Sequence, residues 1–147
     1  DTASTVSRDA MTQLFWTNAI APIRAGRILL PLVKEGGSIG FMTSILGSVG
    51  GRTHGYAELY SASKAALNML IRTFSIELRQ RNPHALCVGL HPGTVDTALS
   101  KPFQAGVDPS KLFSPTQSAE ALLGVLDRLT TADTGRLWAW DGEPIPF

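Results

Sequence analysis

Two short stretches, "SIGFMTS" (Ser38–Ser44) and "ALCVGL" (Ala85–Leu90), are apolar through most of their length, lie between turn-forming residues and are too short to be helices. Continuous apolar runs of this kind are strands covered on both faces, the pattern of a parallel sheet, whereas a half-exposed strand would alternate. The long segment between them sets Leu59, Ala66, Leu67, Leu70, Ile71, Phe74 and Leu78 at helical spacing from about Ala57 to Arg81, and "NPH" stops it. Strand, helix and strand in this order are joined by a crossover connection, which constrains the chain more than any other feature.

The flanks extend the alternation. Upstream, "RDAMTQLFWTNAIAPIRAGRILLPLVKEGG" has apolar residues at helical spacing, with Ser7 or Thr5 available as cap and Gly36-Gly37 as terminator. Pro22 sits inside this helix and has no N–H to give to the Asn18 carbonyl, so a kink is expected there. Downstream, "TVDTALSKPFQAGVDPSKLFSP" is polar and proline-broken and reads as a loop or lid. "SPTQSAEALLGVLDRLT" is the next helix, capped by Ser114 or Thr116, and "GRLWAWDG" is a final strand before the tail "EPIPF". The sum is an α/β chain with a doubly wound layout, about three parallel strands with helices on both faces, and one open sheet edge. The whole length, 1–147, reads as a single unit without a linker or internal repeat.

Composition narrows the function. Hydrophobic residues make up 44% and charged residues 17%, a globular balance, and a net charge of +1 gives no case for nucleic acid or an anionic membrane as partner. No run reaches the ~18–20 apolar residues of a membrane helix and no signal peptide is legible, so the expected location is the cytoplasm. The lone Cys87 reads as a small buried core residue in "ALCVGL". The three histidines show no metal-ligand spacing, and no metal site is expected. The chain opens on Asp1 rather than Met, which suggests that it was cut from something longer.

Chemistry concentrates at the carboxyl ends of the strands, where open α/β sheets place their ligands. Tyr60 and Lys64, four apart in "AELYSASKAALNML", share one helix face with Cβ atoms about 5–6 Å apart. An ammonium close to a phenol favours phenolate and would lower the tyrosine pKa toward neutrality, as suits a general acid/base. Ser44 ends the first strand, and its hydroxyl can hydrogen-bond a substrate oxygen beside that phenol. "HPGTVDT" follows the next strand, where Pro92 and Gly93 force a sharp exit, and the Val95 backbone and the Thr97 hydroxyl can meet a polar ligand.

In this order the residues resemble the short-chain dehydrogenase/reductase family, and within it the C-factor-type members, over nearly the whole chain. "YSASK" is similar to the family's Tyr-x-x-x-Lys, Ser44 to its substrate-orienting serine, "HPGTVDT" to its Pro-Gly-x-Val-x-Thr nicotinamide loop, and "WTNAIAP" to the segment carrying its catalytic asparagine, matching Asn18. The resemblance implies a Rossmann-type fold and an oxidoreductase that passes hydride between NAD or NADP and a carbonyl or alcohol. Tyr60 would exchange the proton and Ser44 hold the oxygen. Lys64 would lower the Tyr60 pKa and bind the ribose, and the Asn18 carbonyl would hold a relay water. Cofactor contacts would come from Tyr60, Lys64, Pro92, Gly93, Val95 and Thr97, and the stretch from Thr97 to Ser114 would be the substrate lid. The family commonly dimerises through the helices corresponding to those around Asn18 and Tyr60, so homo-oligomerisation is implied as well.

One part of the family pattern is missing. The glycine-rich phosphate turn, Thr-Gly-x-x-x-Gly-x-Gly, is absent, and "GSVGG" and "GRTHG" follow the wrong strand to replace it. The chain therefore reads as the carboxyl-terminal, catalytic half of such a Rossmann domain. The alternative is a catalytically inactive fragment acting only as a self-associating folded unit.

Overall fold

The computed structural model describes residues 2–147, and Asp1 lies outside them. Helix α1 (Arg8–Phe15) starts at Ser7, whose hydroxyl accepts from the Ala10 N–H at 3.1 Å. It runs through a widened π-turn (Trp16–Ile20) into α2 (Ala21–Leu29). Strand β1 (Ser38–Met42), helix α3 (Glu58–Arg81) and strand β2 (Leu86–His91) form the crossover unit. Two short strands, β3 (Thr94–Val95) and β4 (Leu112–Phe113), precede α4 (Pro115–Leu126), and β5 (Leu137–Ala139) and β6 (Pro144–Ile145) close the chain.

The main sheet has the order β1-β2-β5-β6. β1 pairs with β2 in parallel from Ser38 opposite Leu86 to Met42 opposite Leu90, and β2 pairs with β5 in parallel at Gly89 opposite Leu137. The fourth strand departs from the sequence reading: Pro144–Ile145, in the proline-rich tail, turns back antiparallel onto β5. Its proline falls on an edge strand, where the missing N–H costs little.

Helices cover both faces. Cys87, Phe41, Leu67, Ile71, Phe74 and Leu78 pack with Ala19 and Ile23 on one side, while Leu86, Val88 and Leu90 pack with Leu122 and Val125 of α4 on the other. Alternate residues of β2 thus enter different cores, which is why the run is apolar at every position. Burial pushes the Cys87 thiol up to about 12, so it is an inert packing group. Among the described residues no strand pairs with the outer edge of β1, and a groove of about 540 Å³ runs along it between Leu29, Leu32, Val33 and Ile39. None of the described helices is long and apolar enough to cross a membrane.

Candidate active site

At the carboxyl end of β1 the Thr43 N–H still reaches the Leu90 carbonyl at 2.8 Å, and Ser44 then leaves the sheet. Ser44 caps a single 3-10 turn, Ile45–Gly47: its Oγ accepts from the Leu46 N–H at 3.2 Å and its carbonyl from the Gly47 N–H at 2.9 Å. A Cβ on Gly47 would stand 2.7 Å from the Lys64 backbone carbon, so glycine lets this turn lie directly on α3. Asn68, buried, accepts from the Thr43 hydroxyl and donates through Nδ2 to the Gly47 carbonyl at 3.0 Å. Tyr60, Lys64 and Asn68 are therefore successive residues of one helix face, with Asn68 clamping both ends of the Ser44 turn to it.

The entry into α3 is held as tightly. Ala57, the residue before the helix, has φ 56° and ψ 41°, a left-handed conformation that costs a non-glycine residue about 1–2 kcal/mol. Arg52 compensates by donating to the carbonyls of Leu46 (3.2 Å) and Tyr56 and to the Ser61 hydroxyl. These bonds tie the loop after Ser44 to the first turn of α3, which carries Tyr60.

Burial raises the Tyr60 phenol above its ordinary 10.0, and the nearby Ser44 hydroxyl pulls it partly back. This departs from the sequence expectation of a phenol lowered by Lys64. Lys64 Nζ lies 5.9 Å from the Tyr60 ring centroid and donates instead to the Met42 carbonyl at 3.1 Å, and burial lowers its own pKa. Both ionised forms are disfavoured by the same desolvation.

The π-turn explains Asn18. With Pro22 unable to donate, the Ala21 N–H reaches back five residues to the Trp16 carbonyl, and the helix widens where the kink was expected. Asn18 Nδ2 donates to Ser63 Oγ at 3.0 Å, and Ser63 Oγ donates to the Tyr60 carbonyl at 2.7 Å. The widened turn is thus coupled to the backbone of Tyr60 through one buried hydroxyl.

"HPGTVDT" occupies the same sheet edge after β2. Ser118 of α4 donates to the Pro92 carbonyl at 2.8 Å, and Gly93 turns at φ 75°, where a Cβ would stand within 3 Å of Phe113 and Trp140. Val95 pairs with Phe113, and its carbonyl accepts from Ser100 Oγ, which also accepts from the Thr97 N–H at 3.3 Å. The stretch from Thr97 to Ser114, expected as a loop or lid, is therefore anchored at both ends by the β3–β4 pair.

Asn68, Ser63, Arg52 and Ser118 escaped the sequence reading. Asn68 carried a signal in its position, since it stands four residues beyond Lys64 on an otherwise apolar face; the other three are ordinary until the fold sets their partners.

His91, before Pro92, is lowered by burial to about 4, with Asp141 opposing the shift. The unfolded chain binds this proton from about pH 6.5 downward and the native chain only near pH 4, so His91 favours the native state less as pH falls through that window. We expect about 2–3 kcal/mol of stability to be lost between pH 7 and pH 4.5 through this group. Unfolding free energies from urea titrations at the two pH values should differ by that much less in His91→Gln; equal differences in the two proteins would remove the assignment.

The family model for short chain dehydrogenases matches residues 1–108. The C-signal of Myxococcus xanthus is 34% identical over 139 residues, covering 93% of this chain and 78% of that protein. The 1-hydroxy-2-glutathionyl-2-methyl-3-butene dehydrogenase of Rhodococcus sp. (strain AD45) is 33% identical over 142 residues, covering 97% of this chain and 61% of the dehydrogenase. Among solved structures, the NADPH-bound carbonyl reductase from chicken fatty liver superposes with a TM-score of 0.84 at 29% identity, over 100% of this chain and 61% of that one. The carbonyl reductase Sniffer of D. melanogaster gives a TM-score of 0.84 at 26% identity, with the same coverage. The chain thus spans less than two thirds of the dehydrogenase and of both reductases.

Proposed function

Because the chain belongs to the short-chain dehydrogenase family, we propose that it carries the proton-transfer site of an NAD(P)-dependent oxidoreductase acting on a small carbonyl or alcohol. The observation that carries the proposal is the gathering of Ser44, Tyr60 and Lys64 at one sheet edge: the turn that Ser44 caps lies directly on α3 at Lys64, and Lys64 Nζ reaches the Met42 carbonyl two residues before Ser44. In carbonyl reduction Tyr60, protonated at neutral pH, gives its proton to the substrate oxygen while Ser44 Oγ holds that oxygen. Lys64 is the cation that meets the resulting phenolate, and Asn18, bonded through Ser63 to the Tyr60 backbone, keeps the phenol in register.

The donor set fits the nicotinamide end of a dinucleotide. The Tyr60 hydroxyl, the Lys64 ammonium, the Val95 backbone and the Thr97 hydroxyl belong to segments at the carboxyl edge, with Pro92 and Gly93 shaping the turn between strand and ligand. Hydride is what the nicotinamide supplies when bound. No phosphate-binding glycine turn is present in the sequence, and NAD and NADP are not distinguished.

That gap and the open outer edge of β1 favour, as second reading, a catalytically inactive fragment that acts by self-association. Met11, Phe15, Trp16 and Ile20 line an apolar concavity of about 380 Å³ on the α1 side, which supports pairing of two copies through the helices around Asn18 and Tyr60. Titration of the chain into NADH or NADPH, followed by nicotinamide fluorescence, separates the readings. The first expects saturable binding within the micromolar to millimolar range common for enzyme ligands; no binding up to millimolar removes activity from this chain.

A further inference from the structure

The glycine-rich stretch Gly47–Gly51, "GSVGG", follows the wrong strand to hold phosphate, yet it is built for close contact. Ser48 is 1% exposed. Its hydroxyl donates to the Pro146 carbonyl and accepts from the Gly51 N–H at 2.9 Å, while the Gly50 N–H donates to the Phe147 carbonyl at 2.6 Å. The glycines make room for these bonds. A Cβ on Gly50 would stand 2.8 Å from the Phe147 oxygen, and one on Gly51 would stand 2.8 Å from Ser48 Oγ and 3.5 Å from Pro146.

We propose that "GSVGG" is the seat of the chain's own tail, and that Ser48 and the Pro146–Phe147 backbone are positioning groups that hold the Ser44 turn against Tyr60. The seat begins three residues beyond Ser44 and shares Gly47 with the turn that Ser44 caps. The turn is thereby gripped from two sides, by Asn68 of α3 on its Gly47 carbonyl and by the tail at Ser48 and Gly50. Pro146 and Phe147 follow directly on the antiparallel β6, whose Ile145 is buried opposite Leu137 and so fixes where they leave the sheet. A strand too short to matter to the sheet has its use in delivering Pro146 and Phe147. The inference rests on the role proposed above for Ser44.

The test needs neither cofactor nor turnover, so its failure is distinct from failure of the catalytic reading. Ser48→Ala, Gly50→Ala and a chain lacking Pro146 and Phe147 are compared with the parent by amide hydrogen exchange. The Leu46, Gly50 and Gly51 amides should exchange about tenfold faster in all three, with core β2 amides unchanged. In a Tyr56→Phe background, Tyr60 is then titrated by carbon NMR of labelled tyrosine. Loosening the turn changes what packs beside the Tyr60 phenol, whose pKa burial raises, so the Tyr60 titration should shift from that of the parent in each variant. Unchanged exchange of the seat overturns the latch. Faster exchange with an unmoved Tyr60 titration overturns the positioning role and leaves only a structural clasp.

Discussion

Replacing Tyr60 with phenylalanine is expected to lower kcat for carbonyl reduction by roughly 10²–10⁴-fold, the usual contribution of a positioned general acid. Cofactor affinity should change far less, because phenylalanine keeps the ring and leaves Lys64 and the 92–97 loop untouched. The fold should survive, since the lost hydroxyl is one whose ionised form burial already disfavours. The phenol is raised by desolvation, so the protonated form dominates at neutral pH and reduction has its proton donor in place. Alcohol oxidation needs the phenolate, and its rate should climb as pH rises toward the alkaline side. Steady-state kinetics of both directions against pH check this; unchanged turnover in the variant would remove Tyr60 from the chemistry.

Phe74→Ala should cost about 3–5 kcal/mol, the range for deleting a fully buried aromatic ring. Phe74 is 1% exposed, meets Phe41 edge-on at 5.6 Å between centroids, and has the Arg27 guanidinium 5.8 Å from its ring. It packs α3 against Phe41 of β1 in the cluster that also holds Ile23 of α2. Against a typical total of about 5–15 kcal/mol the loss is severe, with a melting temperature lower by on the order of 10 °C. Ile76, two residues on along the same helix and 52% exposed, is the control: Ile76→Ala should stay within about 0.5 kcal/mol. Urea unfolding with unchanged m-values would measure both, and a small effect at Phe74 would mean that this core is not packed as described.

Much of the architecture was legible because it rests on period and punctuation. β1, α3 and β2 lie within a residue or two of the boundaries expected from "SIGFMTS", the Leu59–Leu78 spacing and "ALCVGL". Double-sided burial holds for β2, whereas β1, expected as a buried strand, buries only Phe41 and leaves Ser38, Gly40 and Met42 exposed, since its outer edge has no partner among the described residues. Of the caps expected, Ser7 or Thr5 and Ser114 or Thr116, the helices use Ser7 and Ser114, the latter in a reciprocal capping box with Gln117. The kink at Asn18 was foreseeable from a missing N–H, although its form, a π-turn, was not. β6 and the β3–β4 pair were illegible: two-residue strands carry no periodicity, and their pairing is set by partners distant in the chain.

The sequence by itself determined which residues can do chemistry and that they fall at strand ends, because residue type and local periodicity are properties of neighbours along the chain. Only the tertiary structure decided how they are tuned. Whether Tyr60 is raised or lowered depends on how much water its surroundings exclude, and whether Lys64 meets the phenol or the Met42 carbonyl depends on which acceptor the adjacent strand presents. The same holds for "GSVGG": its glycines promise close approach, and the object that approaches is the chain's last two residues, brought there by a turn far along the sequence.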